Sequence, residues 1–268
     1  MLLIAKGLRA WTVARAVGWV TFLEIIRDKI LYNIVLCALL MLGISFLASR
    51  VSFVRPERII LDFGLSSLSI SCALISTFMG ASVVLKEFDR RTLYVALCHP
   101  ITRFQFVLGK FLGLLMVVIL NWFLLGSIYL FILALSSPSP TECFSMVLFA
   151  GLSLILLQSG VLAGIAILFS TFSTTSLAAI CTIGLFLVGN NNTQIRMVAT
   201  RVHSSVGNFA LRALADLLPN FEYFNYGLKV TYGMPVSLRA FGLSVLYGLT
   251  LIVVFLGLAG LLIQSREV

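Results

Sequence analysis

The residues able to do chemistry in this chain are few and gathered in one place. Lys86, Glu87, Asp89, Arg90 and Arg91 place three positive and two negative charges within six residues, and His99, Pro100 and Arg103 follow closely. This charged island lies between two long apolar runs, so its chemistry is that of ionic docking. A membrane protein needs such a surface when its driving force comes from another subunit. The catalytic patterns are missing. There is no G-x-x-x-x-G-K-[ST] phosphate cradle, since Leu108-Gly109-Lys110 lacks the upstream glycine and continues into Phe111. Neither H-E-x-x-H nor G-x-S-x-G occurs. His99 and His203 are far apart and have no acidic partner at ligand spacing. The five cysteines are scattered, with no C-x-x-C pair and no His/Cys cluster, and read as small hydrophobes. No catalytic residue, cofactor site or metal site is expected.

Composition explains where the island must sit. Of 268 residues, 60% are hydrophobic and 11% charged, and mean hydropathy is +1.09. A soluble domain carries about 25% charged residues. Several apolar runs reach the roughly 20 residues that cross a bilayer as a helix, and none alternates as barrel strands do. The class is therefore all-α, a polytopic membrane protein. The net charge of +9 fits attraction to the cytoplasmic leaflet. Nucleic acid is not an expected partner, because no basic cluster is interleaved with exposed aromatics on a soluble domain. Charges at Lys6, Arg9, Glu24, Arg27, Asp28 and Lys29 precede the first long apolar run, which is unlike a cleaved signal peptide.

Six transmembrane helices are predicted, over 30–49, 64–85, 106–135, 143–169, 175–189 and 240–263. Residues 7–28 read as an N-terminal interfacial helix, with Thr12, Arg15, Gly18, Thr21, Glu24 and Arg27 at every third position. A poor transmembrane helix is the competing reading of that stretch. Between the last two spans, 191–237 is too polar to cross. Ile195, Val198, Val202, Val206 and Phe209 recur at helical spacing there, which predicts a short amphipathic helix. Gly207, Pro219, Gly227, Gly233 and Pro235 should break the rest into short helical pieces. The chain reads as one domain. With both termini cytoplasmic, eleven Lys and Arg lie inside and eight outside, and the N-terminal segment exceeds the 50–63 loop. The expected location is the cell inner (plasma) membrane.

Within the spans, ionisable residues are nearly absent, which argues against a carrier driven by protons or sodium. It also argues against a membrane-embedded enzyme. Asn33, Asn121 and Gln158 either hydrogen-bond between helices or line a path through the bundle. In the island, Phe88, Leu93, Tyr94 and Leu97 give an apolar side. Pro100 stops the helix, and Thr102 with Gln105 forms a capping box for the next span. A helix held between two spans fits this spacing, as does an ordinary positive-inside loop.

Glu87-Phe88-Asp89-Arg90-Arg91-Thr92-Leu93, then Leu97, His99-Pro100-Ile101-Thr102-Arg103 and Leu108-Gly109-Lys110, closely resembles the permeases of ATP-binding-cassette (ABC) transporters of the type-2 exporter class. Leu218-Pro219-Asn220-Phe221-Glu222-Tyr223-Phe224-Asn225 is similar to a segment before the last span of that family. The resemblance implies that 86–101 is a coupling helix docking a separate ATPase subunit through Glu87, Phe88, Asp89, Arg90, Arg91, Leu93, Tyr94, Pro100 and Arg103. It implies that 7–28 is a connecting helix carrying Glu24, Arg27 and Asp28. ATP and Mg would bind the partner ATPase, and a second permease copy would complete a dimer, with the second and fifth spans near its axis. The family includes permeases for drug or lipid export and others for copper-enzyme maturation. The alternative function is an ATPase-coupled anchor or mechanotransmitter acting on an extracytoplasmic partner.

Overall fold

The computed structural model describes residues 2–51, 56–89, 103–136, 145–201, 208 and 218–265, with side chains over 14–51, 58–86, 104–136, 145–201, 208 and 218–262. No strand occurs among them. The helices are α1 (Leu2–Ile26), α2 (Lys29–Val51), α3 (Pro56–Asp89), α4 (Arg103–Ser136), α5 (Met146–Ser170), α6 (Thr175–Gly189), α7 (Asn192–Arg201), α8 (Gly227–Thr231) and α9 (Leu238–Ser265), with a 3-10 turn at Phe221–Phe224. Five of these, α2 to α5 and α9, are long and apolar enough to cross a membrane. The protein is thus a polytopic all-α membrane protein.

The fifth predicted span, α6, has 15 residues. At 1.5 Å per residue it rises about 22 Å, short of the roughly 30 Å of a hydrocarbon core. The deficit is filled by protein: the carbonyl of Pro219 and the ring of Phe221 press so closely on Gly189 that no side chain fits there. Helix α3 starts at Pro56, earlier than the expected 64, because proline favours the first helical turn and Arg58 and Asp62 sit at the end of the bundle. Helix α5 begins at Met146, later than the expected 143, because the hydroxyl of Ser145 caps it by accepting from the Leu148 N–H at 3.3 Å.

Helix α3 is the hub, packing against α2, α4, α5, α6 and α8. Small residues make this possible. A side chain at Gly80 would meet Ala166 of α5, and one at Gly64 would enter the ring of Tyr129 on α4. The outer helices α2 and α9 leave most of their apolar residues exposed, as lipid-facing helices must. Gly160 and Gly164 of α5 receive Ile252 and Phe255 of α9.

Helix α1 lies tightly along the start of α4. Gly109 fits against Ala14 and Val17, and Gly113 against Gly18 and Thr21, with no room for a side chain at either glycine. The recurring small and polar residues therefore divide: Gly18 and Thr21 face α4, while Arg15 and Arg27 are exposed. Helix α7 departs from its predicted stripe. It buries Asn192 and Ala199, and Val198 is 54% exposed, because a small alanine permits a closer approach than valine does. Val202, Val206 and Phe209 lie outside the described residues.

Candidate functional site

Functional side chains gather at two opposite ends of the bundle. At the charged end, α1 finishes at Ile26 and a two-residue turn leads into α2. Asp28, in that turn, accepts the Ile30 N–H at 3.1 Å and the Lys86 Nζ at 2.7 Å. Partial burial raises the Asp28 pKa, but the hydrogen bonds from Lys86 and Ile30 and the lysine's charge outweigh it, so the carboxyl sits below its ordinary value. One turn earlier, Glu24 lies 3.9 Å from the Nζ of Lys110. Lys110 is 1% exposed and lies over the ring of Phe106 at 5.7 Å.

The consequence is mechanical. Lys86 lies in the last turn of α3 and Lys110 in the first turns of α4, so these two lysines stand on the two stems of the segment that joins those helices. Both are held by acids from the last turns of α1 and its exit. Of the connecting-helix residues, Glu24 and Asp28 join this clamp, and exposed Arg27 stays outside it. Glu87, Phe88 and Asp89 form the last residues of α3, with side chains beyond those described; Arg103 opens α4 in the same condition. Arg90, Arg91, Leu93, Tyr94 and Pro100 lie outside the described residues. Sequence reasoning missed Lys110 as a partner of Glu24. The available signal was a lysine standing alone just inside an otherwise uncharged run.

From the clamp, α3 continues into the core. Ala81 buries against Ala178 and Ala179 of α6, beside Phe169 of α5. The α5–α6 turn at Thr171–Thr174 brings the rings of Phe169 and Phe172 together, edge to face, at 5.7 Å. Of the three intramembrane carboxamides named above, Asn33 is exposed and the other two behave differently from each other. Asn121 of α4 donates to the Ser71 hydroxyl at 3.2 Å and the Cys72 sulfur at 3.6 Å, which ties α4 to α3. Gln158 of α5 makes no such bond among the described residues and lines a cavity instead.

The opposite, capped end is built from the Leu218–Asn225 segment. Phe221 and Phe224 are fully buried, their rings 6.1 Å apart, with Phe186 of α6 at 5.9 Å from Phe221 and Tyr247 of α9 at 6.0 Å from Phe224. Polar bonds fix the segment. The Tyr247 hydroxyl accepts from the Asn220 N–H at 3.0 Å, and the Asn220 side chain accepts from the Glu222 N–H at 2.9 Å. The Glu222 carboxylate accepts the Thr193 N–H at 2.7 Å and the Thr193 hydroxyl, so it caps the start of α7 from 29 residues away. Next, α8 ends in a Schellman turn: Gly233 has φ +63°, its N–H donates to Val230 at 3.3 Å, and Met234 donates to Lys229 at 2.9 Å. That turn directs the chain into α9. Glu222 was visible in the sequence only as part of a family-like segment; its capping role depends on a contact that no local pattern encodes.

Among the described residues, no group of three or more His, Cys, Asp or Glu could hold a metal ion. No curated protein matches the chain. The family model described as ABC-2 family transporter protein matches residues 15–265, a range that takes in the α1–α4 clamp, the hub helix and the cap. The chain therefore belongs to the ABC-2 transporter family, as a permease subunit of an ABC transporter.

Proposed function

We propose that this permease works as a dimer in an ATP-driven exporter, with residues 86–101 docking a separate ATPase subunit that binds ATP and Mg. The carrying observation is the clamp: Asp28–Lys86 and Glu24–Lys110 brace both stems of the docking segment against α1 and the turn that follows it. A push on that segment is then delivered to α3 and α4 together instead of bending a loop. Helix α3 passes it on through Ala81 to α6 and through Gly80 to α5. In this reading the charged end is cytoplasmic, with both termini there. Closure of two nucleotide-bound ATPases favours one arrangement of the bundle and so shifts its population. The chain itself carries out no hydrolysis.

A test is co-purification of the chain with its ATPase, comparing wild type with Glu87→Lys and Arg91→Glu. Both variants should insert normally and lose the ATPase. Retention of the ATPase at wild-type level by both charge reversals would remove the docking assignment.

A second reading is favoured by the cap. Glu222 and Phe221 anchor α7 and the end of α6 to one rigid segment, which offers a platform for an extracytoplasmic partner moved by the same stroke. The two readings part on whether cargo crosses the membrane in reconstituted vesicles.

A further inference from the structure

A cavity of about 280 Å³ opens beside the cap and descends between α3, α5 and α6. Its floor is Gln158. That residue is twelve positions after Met146, the first residue of α5, so it lies about 18 Å along the helix, near the middle of the bundle. Gln158 is 4% exposed, yet its carboxamide has no hydrogen-bond partner among the described residues. Its polar atoms are not sealed in protein but open onto the cavity. Asn121 differs: its amide nitrogen donates across a helix contact, while its Oδ1 is sealed without a partner among the described residues. Ser66 and Ser69 of α3 and Asn190 after α6 also face the cavity without a side-chain partner among the described residues. Apolar walls come from Ile155 and Phe186.

No Asp, Glu, Lys, Arg, His or Cys lines this space. An ion would be stripped of water there with no countercharge. A metal ion would find neither thiolate, imidazole nor carboxylate. The polar groups present are carboxamides and hydroxyls, which both donate and accept. We propose that the cavity binds an uncharged organic molecule bearing hydroxyl or carbonyl groups, entered from the capped end and read at its deepest point by Gln158. Under the exporter reading above the capped end is extracytoplasmic, so a transported occupant would be cargo on its release side; that the molecule binds does not rest on that reading.

The test uses the full-length chain in nanodiscs, with the five native cysteines replaced and Ser69→Cys introduced. Labelling by N-ethylmaleimide is followed in the presence of three probes that share a six-carbon chain: uncharged 1-monohexanoin, anionic hexanoate and cationic hexyltrimethylammonium. Monohexanoin should slow labelling roughly tenfold at ten times its Kd, and the two ions should not. Gln158→Leu should raise the Kd read from the protection by about tenfold, the worth of one or two hydrogen bonds, leaving roughly twofold protection at the same concentration, with the unprotected labelling rate unchanged. Should that variant misfold, Asn190→Ala at the mouth serves the same purpose. Equal protection by all three probes would show a merely greasy crevice, and no protection by any would show a water-filled one; either overturns the proposal. Because no ATPase is present, failure here leaves the docking assignment standing, and loss of ATPase binding leaves this result standing.

Discussion

The two ends of this permease are fastened by different physics. At the charged end, long flexible side chains from α1 and its exit, Glu24 and Asp28, reach lysines on α3 and α4. At the capped end, buried rings and short bonds to backbone N–H groups hold one segment in one pose. The part-exposed Asp28–Lys86 pair tolerates small displacements and weakens with salt, whereas Lys110, 1% exposed, is screened much less. Close-packed aromatics do not tolerate displacement. The end that would receive a stroke is therefore compliant in its fastening, and the end that would respond is stiff.

This contrast can be broken by experiment, most severely at the cap. Phe221→Ala should lower stability by about 3–5 kcal/mol, read as a large fall in the melting temperature of detergent-purified protein. A loss no greater than that of a surface ion pair would erase the distinction. Glu222→Ala removes both bonds to Thr193 and should cost about 1–2 kcal/mol; Glu222→Gln should recover part of it, because its oxygen still accepts one N–H. Smallest is Asp28→Asn, expected at about 0–1 kcal/mol and shrinking further with added salt. The pH dependence has a definite sign. The Asp28 carboxyl is held below its ordinary value of 3.8, so its contribution is complete above that value and disappears as pH falls through the lowered one. Melting temperatures of wild type and Asp28→Asn should therefore differ by the same amount at pH 7 and pH 5, and converge only in strong acid. Convergence between pH 7 and 5 would mean that Lys86 does not hold the carboxylate.

How much was legible beforehand follows the same division. Run lengths of apolar residues located the helices within a few positions, apart from the start of α3, which lies eight residues before the expected one, since burial in hydrocarbon is a property each segment carries by itself. The fifth span was read with its observed bounds, 175–189, but not its consequence, that another segment must complete it. Gly109 and Gly113 stand in the sequence simply as small residues, and nothing local names Gly18 as what they touch. The same limit hid Lys110 and Glu24, which meet only because two helices cross at that height. Asn121 and Gln158 looked alike as isolated amides. Rotation about each helix axis decides that one faces a neighbour and the other a cavity, and that rotation is a tertiary fact.

The enclosed lysine on α4 also constrains how this protein is made. Lys110 stands in the second turn of α4 with 1% of its surface accessible, and an ammonium taken out of water is costly until it is paired. The acid that faces it belongs to α1, which precedes α4 in the chain. By the time α4 reaches the membrane its counter-ion is already waiting, so the order of synthesis is matched to the order in which charge must be neutralised.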